Sequence, residues 1–537
     1  MNASILITVV GIIYIFAYRF YGSKIAAIWQ IDVNRPTPAQ THYDGIDYVP
    51  SKNWMVLFGH HFSSIAGAGP IIGPIMAVCL WGWVPALIWI VVGSIFLGGI
   101  HDFGSLIISI RENGATIGDV TAKAISEKAK IIFSVFIWLA LILVIAVFAY
   151  LGAKTFVSQP AIVIPSLGII PIAIIVGLGL YRFKWPPTIV TITGLLCLGV
   201  LILIGKKYPV MIGDNGQFIW TVVLLIYCFF ASTMPVNLLL QPRDYLSSFL
   251  LAGGIILAVF GIFVSQPTMN GSAFIANKSS IGTLWPMMFI TIACGANSGF
   301  HSLISSGTTS KQIANERHAQ RIGFGGMLLE GFLAVIVIIL VIGGISNVEL
   351  QQLIADKKSP VSMYGLGFGN ITSPFLGQWG TFIALTILNI FILTTLDSAT
   401  RITRYITEEL FHFKNRFVTT FFVLILGGCL ALGKGTANNP LWQKIWPAFG
   451  ASNQLVAGMA LLVISCWLLI KKKPTLYSLL PAIFMLLTSL VALVFQIIGY
   501  YRNKDFLLIA ISVALIASAL YLTKEVAVNF LRILRTT

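Results

Sequence analysis

Long apolar runs separated by short polar connections dominate this chain. A helix needs about 20 apolar residues to cross a hydrocarbon core of ~30 Å. Fifteen runs approach that length, near 3–18, 62–80, 82–110, 131–152, 161–180, 186–205, 217–240, 245–266, 284–306, 322–345, 376–398, 416–433, 452–470, 475–499 and 505–523. Shorter apolar pieces at 52–61 and 440–450 read as re-entrant or half-length helices. The pattern predicts an all-α polytopic membrane protein of about fifteen or more transmembrane helices. The longest polar stretches, 19–53 and 346–375, are too short for cores of their own. Residues 1–537 are therefore expected to form one integral membrane domain.

Composition sharpens this picture. Of the 537 residues 57% are hydrophobic and only 10% charged, against about 25% charged in soluble domains; mean hydropathy is +0.91. So little charge excludes a soluble enzyme, a nucleic-acid binder and a disordered chain. The first apolar run lacks a basic start and a small-residue cleavage site, and reads as a retained span. With the amino terminus outside, the inward connections carry 24 of the 34 Lys and Arg, as the positive-inside rule requires. The expected topology is amino terminus out, carboxyl terminus in. The net charge of +16 thus marks topology, with no patch for nucleic acid. Six cysteines lie singly in apolar runs and suggest neither disulfides nor a zinc site.

Within hydrocarbon, backbone that leaves the helix must line a protein-buried cavity. Two clusters of small and helix-breaking residues interrupt apolar runs. One spans Phe58 to Pro70, through Gly59, His60, His61, Ser63, Ser64, Gly67 and Gly69, and continues to Gly73 and Pro74. The other includes Cys294, Gly295, Asn297, Ser298, Gly299 and His301. Close helix packing accounts for glycines, but two prolines within five residues remove amide donors and break a helix. Each cluster opens a run of five spans, and seven spans separate the openings, so the second five enter in the opposite sense. That arrangement predicts two inverted five-helix repeats, 52–205 and 284–470, with a leading helix at 1–22, connecting helices at 217–266 and trailing helices at 475–537. Many secondary transporters place a substrate at the midplane between such broken helices.

At these residues the sequence resembles the carbon starvation protein A family of bacterial membrane transporters. The resemblance runs through DGIDYVPSKNWMVLFGHHFSSIAGAGPIIGP (44–74), HDF (101–103), LQPRDYLSSF (240–249), ITIACGANSGFHSLISSGTTSKQ (290–312), GGMLLEGF (325–332), TTLDSATR (394–401) and FGASNQL (449–455). It implies uptake of peptides or pyruvate across the bacterial inner membrane, and a fold related to the five-plus-five amino-acid transporters, that is, a leucine-transporter-like (APC-like) core.

Charged groups at membrane depth are costly and each needs a reason. Asp102, Glu330 and Asp397 are the candidates for binding a coupling ion, each also readable as an ion-pair partner or interfacial residue. Imidazoles and carboxylates titrate, so H⁺ is preferred; the hydroxyls beside Asp397 would also suit Na⁺. Gly59, His60, His61, Ser63, Ser64, Gly67, Gly69, Gly295, Asn297, Ser298 and His301 are the candidates for holding substrate, with half-helix amino termini facing a carboxylate. Gln241-Pro242-Arg243-Asp244 reads as a turn with a local ion pair, or as a gating latch. Asn453 and Gln454 read as a helix cap or as amides offered to substrate. No metal-ligand spacing and no nucleotide-binding motif is present, so neither metal nor cofactor is expected. The expected activity is secondary active import of a small carboxylate-bearing nutrient, a short peptide or, alternatively, pyruvate. A channel or a membrane-embedded enzyme are the readings from other classes.

Overall fold

A computed structural model describes the chain apart from residues 46, 52, 237, 357, 434–440 and 537. It is an all-helical bundle whose only sheet, among the described residues, is a hairpin pairing Lys278–Ser279 with Gly282–Thr283. Twelve described helices are long and apolar enough to cross a membrane, or thirteen with the bent pair Trp54–Ile65 and Gly69–Trp81 taken as one span. Two more of the fifteen apolar runs take other forms. Residues 284–306 fall into short pieces, and 416–433 yields the 16-residue helix Arg416–Ala431. The piece at 440–450 begins outside the described residues and continues into the next run as Leu441–Ile470.

Burial separates central from peripheral helices. Trp379–Phe411 and Lys444–Ile470 are 83% and 89% buried over their most apolar windows, whereas Ala3–Ile28, Pro187–Lys207 and Phe506–Ile533 reach only 28%. The outer helices turn large apolar side chains outward, as Ile189, Ile192, Leu196, Val200 and Leu203 do. A helix apolar all round is suited to lipid on one side and protein on the other.

Two expectations change. The stretch 346–375, expected as a polar connection, contains the helices Asn347–Ala355 and Pro360–Leu376. Ser359 caps the second by accepting from Val361 N, and its glycines give close approach: a Cβ at Gly367 would collide with the Leu340 carbonyl oxygen. Glycine lowers hydropathy while permitting this contact, which hid the helix. The stretch Gln241-Pro242-Arg243-Asp244, expected as a turn, is the buried start of Leu240–Ser265, with Arg243 1% and Asp244 0% exposed.

Both predicted breaks occur. Asn53 caps Trp54–Ile65, accepting from Met55 N at 3.1 Å. That helix ends as Ala66 leaves helical geometry (φ −77°, ψ 63°), and Gly69–Trp81 restarts with Pro70 in its first turn, bent by 44°. The first span is therefore a broken pair and not a continuous helix over 62–80. The second break lies between Ala293–Asn297 and Phe300–Gly307, where Ser298 is extended (ψ 126°).

Candidate transport site

The two breaks meet. A small cavity is lined by Gly67, Gly69 and Pro70 from the first and by Cys294, Ser298 and Phe300 from the second. Val144 and Phe148 of Glu127–Ser158, Thr395 of Trp379–Phe411 and Phe449 complete its wall. Gly67 and Gly69 are required there, because a Cβ on either would run into Thr395 or Cys294. The cavity offers about 10 Å³ to the centre of a water, room for about one, so admitting a nutrient requires its walls to move apart. Thr395 is 3% exposed and its hydroxyl has no hydrogen-bond partner. Asn297 is fully buried with neither amide atom bonded.

The half-helix amino termini differ in what they offer. No side chain caps Gly69–Trp81, but Ile71 and Ile72 N–H already bond the Ala68 carbonyl at 3.2 and 2.8 Å and Pro70 has no N–H, so its first turn offers the cavity Gly69 and the positive end of the helix dipole. The second break is already satisfied. Asn453 Oδ1 accepts from Phe300 N at 3.0 Å, Asn453 O accepts from Gly299 N at 3.1 Å, and Asn453 Nδ2 donates to Ser298 Oγ at 3.1 Å. Asn453 is thus a cap, although for a helix on another segment, and the anion cradle expected from both breaks reduces to the first. Asn453→Ala should leave a buried N–H without a partner, at about 1–3 kcal/mol, and lower the melting temperature in detergent. The neighbouring Gln454 is buried with no hydrogen bond, so Gln454→Leu should cost far less in the same assay.

Beside the cavity the adjacent histidines point into two separate buried networks, as the ~100° between helix neighbours demands. His61 Nε2 donates to Asp102 Oδ2 at 3.0 Å, and Asp102 Oδ1 accepts from Ser305. His301 Nδ1 lies 3.6 Å from Asp102 Oδ2, and its Nε2 lies 2.8 Å from Glu330 Oε2, an ion-pair distance without in-line hydrogen-bond geometry. All four side chains are fully buried. His61 Nδ1 sits 2.9 Å from Thr309 Oγ1. A hydroxyl can donate to a neutral imidazole or accept from a protonated one, so Thr309 serves His61 in both states.

His60 enters the other network. Its Nδ1 donates to Asp244 Oδ2 at 2.9 Å, and Ser64 Oγ also donates to that oxygen at 3.3 Å. Arg243 joins Asp244 Oδ1 at 2.7 Å to Asp397 Oδ2, which also accepts from Tyr227 OH at 2.6 Å. On its far side His60 Nε2 meets Gln312 Nε2 at 3.5 Å; Gln312 Oε1 accepts from Gln241, and Gln241 Oε1 from Tyr181 OH. This chain of amides presents an N–H to His60. The link 308–315 therefore reads both histidines, through Thr309 and Gln312. Between those two, Lys311 is half-buried, its Nζ 5.3 and 5.8 Å from the ring centres of Tyr48 and Tyr405. Burial holds its ammonium pKa below the usual lysine value, partly offset by Asp47, Asp119 and Asp44.

Of the residues expected from the sequence, Gly67, Gly69 and Ser298 line the cavity. His60, Ser64 and Asp397 belong to the arginine-centred network, and His61, His301, Asp102 and Glu330 to the imidazole–carboxylate network. Ser63 Oγ donates to the Asp244 carbonyl and its own carbonyl accepts from Thr394, tying the helices together. Gly59 packs against Ser248 and Gly295 against Ala334. Thr309, Ser305, Gln312 and Tyr227 were not named as site residues, and Thr395 was read only as one of the hydroxyls beside Asp397 that would suit Na⁺. Among the described residues no three His, Cys, Asp or Glu side chains are grouped to hold a metal ion.

Fold and site together define a multi-pass helical membrane protein with two broken helices around an intramembrane cavity. The chain matches the family described as carbon starvation protein CstA over residues 2–353 and 342–492, and it belongs to that family. Its relatives include the peptide transporter CstA of Escherichia coli (33% identical, covering 92% of this chain and 81% of the relative). The pyruvate/proton symporter BtsT of Escherichia coli is 32% identical over 90% of this chain and 80% of its own. The peptide transporter CstA of Bacillus subtilis is 29% identical, covering 94% and 92%. Among solved structures, the Eremococcus coleocola manganese transporter in complex with an aromatic bis-isothiourea compound shares the fold. Its TM-score is 0.58 at 12% identity, over 92% of this chain and 99% of that one.

Proposed function

We propose that this chain is a secondary active transporter importing small carboxylate-bearing nutrients, short peptides first, across the bacterial inner membrane in symport with H⁺. The observation that carries the reading is the convergence of both helix breaks on one closed cavity, beside a sealed network of two imidazoles and two carboxylates. Relatives named as peptide transporters and as a pyruvate/proton symporter support it. The first turn of Gly69–Trp81, Thr395 and Ser298 would receive the carboxylate. Asp102, Glu330, His301 and His61 would carry the coupling proton, because each imidazole and carboxylate there can titrate and Thr309 suits either state of His61. Asp397, held by Arg243 and Tyr227, would be a fixed tie between helices. The remaining substrate candidates would act by positioning: His60, Ser63 and Ser64 through Asp244, Gly59 and Gly295 through packing, and Asn297 through its free amide.

The same reading takes 52–205 and 284–470 as inverted five-helix repeats in a leucine-transporter-like core, with 1–22, 217–266 and 475–537 as leading, connecting and trailing helices. The position of each break near the start of its unit supports this. Fifteen crossings result if the bent pair, the divided 284–307 segment and Arg416–Ala431 each cross once. The inward excess of Lys and Arg supports an outer amino terminus and an inner carboxyl terminus. Pyruvate is the second reading, supported by the relative named as a pyruvate/proton symporter.

Uptake into proteoliposomes of radiolabelled di- and tripeptides, and separately of pyruvate, under an inward pH gradient tests both. Accumulation above equilibrium that an uncoupler abolishes is expected. Uptake that never exceeds equilibrium would replace the transporter reading with a channel.

A further inference from the structure

A second site lies outside this chemistry, at the connection between Trp379–Phe411 and Arg416–Ala431. Arg404, Glu408, Phe413, Lys414, Asn415, Arg416 and Phe417 line a shallow cleft of about 450 Å³. Three cations there face one carboxylate. Arg404 is 7% exposed, its Nη1 donates to Glu408 Oε1 at 3.2 Å, and its Nε is buried with no hydrogen-bond partner. Asn415 lies in the cleft as the cap of Arg416–Ala431, accepting from Phe417 N and Val418 N, so the positive end of that 16-residue helix faces the same space. The positive-inside rule explains Lys and Arg on a connection. It does not explain an arginine buried in a cleft with an unmet donor, since buried donors are normally paired.

The surroundings identify the occupant. Phe411, Phe413, Phe417 and Phe421 are 49%, 37%, 47% and 61% exposed beside the cleft. Large apolar rings left uncovered at the end of two apolar helices are suited to acyl chains, while the cations above them are suited to phosphate. Basic pockets at helix ends bind anionic headgroups in this way. We infer that this cleft binds the phosphate of an anionic phospholipid, with its acyl chains lying over the exposed phenylalanines. Arg404 follows Thr395 by nine residues on one helix, about 14 Å at 1.5 Å per residue, so a lipid there braces the helix that forms part of the cavity wall. The inference rests on the membrane location and is independent of which nutrient is carried.

The test is thermal unfolding of the full chain purified in a neutral detergent. Melting is followed with added phosphatidylglycerol, with added phosphatidylcholine and with inorganic phosphate, for the parent and for the exposed pair Lys414→Gln/Arg416→Gln. Ligand that binds only the folded state raises the melting temperature with concentration. Phosphatidylglycerol should stabilise the parent by several degrees more than phosphatidylcholine, and the double variant should lose most of that difference. Equal shifts with the two lipids, or a double variant that keeps the whole difference, would overturn the site. An equal shift with inorganic phosphate alone would overturn the lipid as occupant.

Discussion

Asp102→Asn should abolish pH-driven accumulation in proteoliposomes while leaving the protein folded. The amide keeps the shape of the side chain, but its one oxygen accepts from either Ser305 or His61 Nε2, which bond separate carboxylate oxygens in the parent, and its NH2 can only donate to the other. What it removes is the negative charge that faces both His61 and His301. Without an ionisable carboxylate there, uptake under a pH gradient should fall to the level seen with no gradient, while the elution profile stays that of a folded protein. Glu330→Gln, at the far end of the same network, should behave alike, because Glu330 is the carboxylate partner of His301 Nε2. Full gradient dependence in both variants would remove these residues from the coupling path.

Arg243→Met is expected to have the largest effect on stability. The guanidinium bridges Asp244 and Asp397 in a site where all three side chains are at most 1% exposed. Without it, Asp244 keeps His60 and Ser64 as partners. Asp397 keeps only Tyr227, since its Oδ1 has no partner even in the intact network. Asp397 is therefore the charge left stranded, and the loss should be about 3–5 kcal/mol, seen as collapsed yield on fluorescence-detected size exclusion. Adding Asp397→Asn removes the stranded charge and should restore part of the yield. A single variant as stable as the parent would show that the network contributes no net stability, and a double variant no better than the single would show that Asp397 is not the stranded group.

Much of the site was legible because its residues violate the local rule around them. Histidines, prolines and glycines in runs that otherwise read as uninterrupted spans marked both breaks, and Asp102, Glu330 and Asp397 stood out by charge alone. Arg243 and Asp244 were seen as an ion pair but placed in a loop, since a Gln-Pro-Arg-Asp start has the composition of a turn. Their burial depends on Asp397 and His60, which arrive from 154 positions later and 184 positions earlier in the chain. Asn453 was read as a cap for its own helix because capping is normally local; here it caps a helix some 150 residues upstream. The helix Pro360–Leu376 was lost to its glycines, which depress hydropathy and acquire a purpose only against the Leu340 backbone.

The sequence by itself determined that the chain is a multi-pass helical membrane protein, where its helices break and to which family it belongs. Those properties follow from local quantities: apolar run length against bilayer thickness, missing amide donors at proline, and motifs that are contiguous in the chain. Only the tertiary structure decided which break is capped from another segment and which histidine joins which network. It also separated Asp397, clamped by an arginine, from Asp102 and Glu330, faced by imidazoles. A buried charge takes its role from the partner that replaces water around it, and these partners lie on helices that only folding brings together.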